Sequence, residues 1–111
     1  SGHEDTYQCL SRLVYVLTAQ GQVAEAEQLW NFALQTRESK LGHDHPDTLR
    51  TVSNLAVLAE AQGKLDQAEA LYRRTLEGRE SALGMEHPDT LASVSNLAQL
   101  LRARRPEYEG E

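Results

Sequence analysis

Two sets of side chains in this sequence could bind a metal or move a proton. His43, Asp44, His45 and Asp47 lie close together, and imidazole combined with carboxylate suits zinc. Ser53, Ser95, His45, His87, Asp47 and Asp89 supply the residue types of a nucleophile, its base and the group that orients the base. Both readings fail on the same ground. The stretch 85–89 reads Met-Glu-His-Pro-Asp, which loses one histidine of the first set while keeping the phrase that follows it. A triad needs three unlike groups converging once, whereas these residues return at a fixed interval. The interval assigns them to the fold. His45 and His87 are expected at helix starts, as N-terminal caps or packing residues, and no catalytic residue, metal ligand or cofactor site is expected. Cys9 has no activating cation in sequence nearer than Arg12, so an inert, partly buried thiol is expected there.

The interval is 42 residues. Sliding the chain by that amount lays His3-x-Asp5-Thr6 on His45-Pro46-Asp47-Thr48 and then on His87-Pro88-Asp89-Thr90. Residues 3–44 match 45–86 at 17 of 42 positions, and 45–63 match 87–105 at 12 of 19. The sequence therefore holds two complete units and the opening half of a third.

Composition sets the class. Leucine (17) and alanine (13) supply 30 of 111 residues, isoleucine is absent and six residues are aromatic, which favours helices over sheets. A net charge of −6 removes the broad basic footprint that nucleic acid or an anionic membrane would require. The single cysteine cannot close an internal disulfide, and no run approaches the roughly 18–20 apolar residues of a membrane span. Ser1-Gly2-His3-Glu4-Asp5 is neither basic nor apolar, unlike a signal peptide. A soluble, cytoplasmic, all-α protein is expected.

Each unit carries two helical patterns. Val52, Leu55, Ala56 and Ala59 follow one helix face, predicting a helix from about Pro46 to Gln62, with Pro46 and Asp47 suited to its first turn and Gly63 to its end. Leu65, Ala68, Leu71, Tyr72, Thr75 and Leu76 predict a second, from about Asp66 to Ala82, ended by Gly84. The short connection makes the two antiparallel, and Ala56 and Ala68 let them approach closely. Gly78, inside the second helix, is expected to weaken that end.

The order Leu55-Ala56, Gly63, Ala68, Tyr72, Leu76, matched in the first unit by Leu13-Val14, Gly21, Ala26, Trp30, Leu34, resembles the tetratricopeptide repeat, whose standard length is 34 residues. The extra eight residues and the phrase Leu-Gly-x-x-His-Pro-Asp-Thr-Leu at 41–49 and 83–91 resemble the 42-residue variety of kinesin light chains. The resemblance implies a right-handed α-solenoid of antiparallel helix pairs that binds other proteins. Its units would be residues 3–44 and 45–86, followed by a single capping helix within 87–105 and a tail at 106–111. The start at a unit boundary suggests an excised piece of a longer protein. The last helix is expected to leave Leu97, Leu100 and Leu101 under-covered, favouring end-to-end self-association. Trp30, the counterpart of Tyr72, is expected in the core, and Phe32, the counterpart of Arg74, at an exposed contact surface.

In the family the first helices of successive units line a concave binding face. Carried over, that face takes Gln8, Ser11, Arg12, Tyr15 and Thr18, then Arg50, Ser53, Asn54, Val57 and Glu60, then Ser95, Asn96, Gln99 and Arg102. Three arginines against one acid make this stripe a basic exception on an acidic chain. Asparagine can donate to and accept from an extended backbone, and arginine can clamp a carboxylate. The expected ligand is an extended acidic peptide, with an aromatic residue near Tyr15 or Val57. Two other roles stand beside this one: a structural or oligomerisation spacer, and a regulatory segment of a larger signalling protein.

Overall fold

The computed structural model describes the backbone of residues 2–104 and the side chains of residues 8–104; the tail expected at 106–111 lies outside them. Five helices follow one another, α1 (Gly2–Ala19), α2 (Val23–Leu41), α3 (Pro46–Ala61), α4 (Leu65–Leu83) and α5 (Pro88–Arg104), with no strand among the described residues. Each packs chiefly on its chain neighbours, α1 on α2, α2 on α3, α3 on α4 and α4 on α5. The extents are 51 × 36 × 19 Å. A thickness of 19 Å is close to two helices of about 10–12 Å diameter, so this is a two-layer solenoid rather than a closed bundle.

The repeated residues make repeated junctions. After α1 and α3 the chain turns through Gly21 (φ 84°) and Gly63 (φ 80°), a left-handed geometry that glycine adopts without steric cost. Gln22 N–H then donates to Leu17 O (2.8 Å) and Lys64 N–H to Ala59 O (2.9 Å), satisfying carbonyls the helix end would leave orphaned. The other junction is closed by histidine. Nδ1 of His45 accepts from Asp47 N–H at 3.1 Å and Nδ1 of His87 from Asp89 N–H at 3.0 Å, the capping role expected of them. Thr48 Oγ1 donates to Gly42 O at 2.9 Å, tying the turn to α3.

Two apolar clusters fill the interior, and the second repeats the first. Val14, Ala26, Trp30, Leu55 and Leu58 meet between α1, α2 and α3; Ala56, Ala68, Tyr72, Leu97 and Leu100, each 42 residues on, meet between α3, α4 and α5. Trp30 is core, as expected. Ala26, Ala56 and Ala68 are fully buried, the small contacts that let helix axes come together.

Three expectations change. Leu97 and Leu100 are buried against α4, while Leu91 and Val94 are exposed at 54% and 42%; the under-covered face of α5 is the one turned away from α4. Gly78 has a packing role that low propensity did not suggest, inside α4, which continues to Leu83. A Cβ there would lie 2.7 and 2.8 Å from the two Leu49 methyls, so the missing side chain makes room for α3. Cys9 is exposed rather than partly buried.

Candidate functional site

The odd-numbered helices share a stripe whose members recur at the unit interval. Tyr15, Val57 and Gln99 are equivalent and all exposed, Tyr15 at 75% and Val57 at 51%. Beside them run Arg12, Asn54 and Asn96, of which Arg12 is exposed and the asparagines half-buried. Ser11 and Ser53 are half-buried and Ser95 exposed; in the last row Thr18 and Glu60 are half-buried and Arg102 exposed. Gln8, at the start of the stripe, is exposed. Neighbouring first helices thus present a row that is apolar at Tyr15 and Val57 and polar at Gln99, flanked by polar rows with Arg12 at one end and Arg102 at the other.

The charge along this stripe is less simple than a count of arginines. Arg50 Nη2 donates to Asp47 Oδ1 at 3.3 Å, and the same carboxylate faces the buried Arg37 guanidinium at 3.7 Å. Asp47 also carries the N-terminal turn of α3, so part of the Arg50 charge is spent within the protein. Glu60 accepts from Tyr72 Oη–H at 3.0 Å. Burial, together with that carboxylate, holds the Tyr72 phenol far above its ordinary value, so it remains a donor throughout the ordinary pH range. The one acid of the stripe is thereby committed to α4.

Of the residues first considered for chemistry, His45 and His87 cap helices, Asp47 holds Arg37 and Arg50, and Asp89 O accepts from Ser93 Oγ–H at 3.2 Å. Among the described residues no group of three or more His, Cys, Asp or Glu could hold a metal.

Phe32 is 69% exposed and, with Gln35, Thr36, Ser39 and Lys40, lines a shallow open depression confined to α2. Its counterpart Arg74 reaches back one unit to Glu38 and to His43, whose Nδ1 lies 3.2 Å away. A second set of links between units was not foreseen from the sequence. The Glu27 carboxylate takes Gln62, Lys64 and Gln67, and its counterpart Glu69 takes Arg73 and Arg104. The Gln62 bond lowers the Glu27 pKa most, burial opposes it, and Lys64 and Gln67 lower it further; Arg73, then Arg104, lower that of Glu69. The signal was present in the unit interval, since Glu27 pairs with Glu69 and Gln62 with Arg104.

No helix among the described residues is long and apolar enough to cross a membrane. Comparison with curated proteins gives no match. Among solved structures, the putative kinesin light chain of Podospora anserina with nearly identical TPR-like repeats superimposes with a TM-score of 0.81 at 27% identity, over 94% of this chain and 49% of that one. BtubC (BKLC) from P. vanneervenii has the same fold, with a TM-score of 0.76 at 20% identity, over 86% of this chain and 37% of the other. The chain thus spans half or less of each structure's length. The sequence profile of the tetratricopeptide repeat matches residues 5–81 and again 52–107. The period, the helix pairs and the duplicated core coincide with that profile over nearly the whole sequence, and the chain belongs to the tetratricopeptide repeat family.

Proposed function

We propose that this chain is a non-enzymatic, cytoplasmic interaction module whose α1, α3 and α5 stripe binds an extended acidic peptide. The observation that carries the reading is the pair Tyr15 and Val57, exposed at equivalent positions with Arg12 one turn away from Tyr15. Two exposed apolar side chains with an arginine beside the first suit a peptide that alternates an aromatic or aliphatic anchor with carboxylates. Arg12, Arg50 and Arg102 supply the charge, Ser53, Asn54, Asn96 and Gln99 the backbone contacts. Two and a half units offer little area, so affinity is expected to be micromolar or weaker. A peptide array with acidic and scrambled sequences side by side tests the reading. Replacing Arg12 and Arg50 by Glu should abolish retention of acidic peptides; unchanged titration curves would remove the role given to charge.

Self-association is a second reading, in which the chain spaces or oligomerises flanking regions. It is favoured by exposed apolar side chains on the outer helices, Leu13 and Val16 on α1 and Leu91 and Val94 on α5. A regulatory segment of a larger signalling protein accommodates either activity.

A further inference from the structure

The face of α5 turned away from α4 has an internal reference. In α3 the equivalent side chains Leu49, Val52, Ala56 and Ala59 are covered by α4 and retain at most 1% exposure. In α5 they are Leu91 (54%), Val94 (42%), Ala98, which is exposed, and Leu101, which is half-buried. They form one straight stripe of about 15 Å at 1.5 Å per residue. Met85, just before the helix, is also exposed at 63%.

What could cover this stripe is indicated by how α5 departs from α3. The last turn of α3 carries Glu60 and is followed by Gln62, with no basic residue. At the same places α5 carries Arg102 and Arg104, the latter held by Asp66 and Glu69 of α4, while its first turn keeps Asp89 and the preceding turn holds Glu86. The helix therefore starts among carboxylates and ends, beside the Arg104 pairs with α4, in the exposed Arg102. A second α5 laid antiparallel sets the basic end of one beside the acidic end of the other and opposes their macrodipoles favourably; a parallel pair would set like against like. The apolar spacing is compatible with the same symmetry. Reversal about the middle of the stripe places Leu91 opposite Leu101 and Val94 opposite Ala98, so that leucine meets leucine at the two ends and valine meets the smaller alanine near the axis.

We infer that two copies of this chain associate through α5, antiparallel about a two-fold axis, burying Leu91, Val94, Ala98 and Leu101. This rests on the self-association reading and gives it a surface and a symmetry. The same patch is used on both subunits, so assembly closes at the dimer. Four apolar side chains are far fewer than the roughly 20–30 residues a side of a stable interface, so the dimer forms in the high micromolar to millimolar range.

Sedimentation velocity over that concentration range, on the chain as it stands, tests this. A monomer–dimer equilibrium that saturates at dimer is expected. Val94→Glu should weaken it more than about tenfold by placing an unpaired charge in the contact, with helical circular dichroism unchanged, and Leu13→Glu on α1 should leave it intact. In a Cys9→Ser background, chains carrying Val94→Cys should cross-link to chains carrying Ala98→Cys faster than either forms a disulfide with itself. Monomer at every concentration overturns self-association altogether. A dimer that survives Val94→Glu but not Leu13→Glu overturns only the α5 surface, and oligomers that keep growing with concentration overturn the two-fold axis.

Discussion

Helices α3 and α5 begin with the same five residues, His-Pro-Asp-Thr-Leu, carry the same histidine cap, and differ in what lies beside them. α3 is packed on both sides and buries eight residues; α5 is packed on one side and buries four. Leu49 and Leu91 are the same residue in the same turn, yet one is 1% and the other 54% exposed. In a solenoid, burial belongs to the neighbour as much as to the residue. Propensity and capping place each helix, and the next helix decides which of its leucines count as core.

The contrast is most sharply tested at Val52 and Val94. Val52→Glu puts an unpaired carboxylate between α3 and α4 and should cost upwards of about 3 kcal/mol, enough to unfold much of the chain. Val94→Glu, facing outward, should stay within about 0.5 kcal/mol. Urea unfolding followed by circular dichroism separates the two, and comparable losses would mean that the outer face of α5 is covered. Gly78 gives the next largest effect. On propensity alone Gly78→Ala should gain about 1 kcal/mol, but the fully buried Leu49 methyls occupy the space a methyl needs. A net loss of about 1–3 kcal/mol from overpacking is expected. Combining Gly78→Ala with Leu49→Ala should cost less than the sum of the two, because the second change vacates the clash.

The smallest effect concerns the bridges between units. Glu27 and Glu69 both have a folded-state pKa below the ordinary value of a glutamate. Their contribution is complete above about pH 4.5 and is lost as the pH falls through the lowered folded values. Both glutamates are half-buried, but Lys64 and Arg73, which pair with them, are exposed, so solvent screens the pairs and the loss should be slight; NMR titration should find both midpoints below an unstructured glutamate. Arg104→Gln should move the Glu69 midpoint upward and leave that of Glu27 unchanged.

Much of this architecture was legible in the residues. The interval and the glycine and proline punctuation predicted helices at 46–62 and 66–82, where the structure has Pro46–Ala61 and Leu65–Leu83. The assignment of Leu97 and Leu100 to an under-covered face failed because helical spacing identifies apolar stripes without saying which neighbour each will meet. The equivalence of Leu97 with Leu55 held the correction, since Leu55 packs backward into the α1–α2 cluster. The packing role of Gly78 escaped for a related reason: propensity describes an isolated helix, and the gap this residue leaves lies between two. In the candidate site, the spacing selected the stripe, but it could not reveal that Asp47 engages Arg50 or that Tyr72 engages Glu60. Those pairs join residues through the approach of turns and helices.

The serial packing of the helices has a mechanical corollary. Among the described residues the helices pack chiefly on their chain neighbours, so resistance to a pull along the solenoid comes from one helix interface at a time. Force should strip the outer helices first, α1 from Trp30 and α5 from Tyr72. The chain would lengthen in discrete steps and rewind on release, as a spring whose segments are its own repeats.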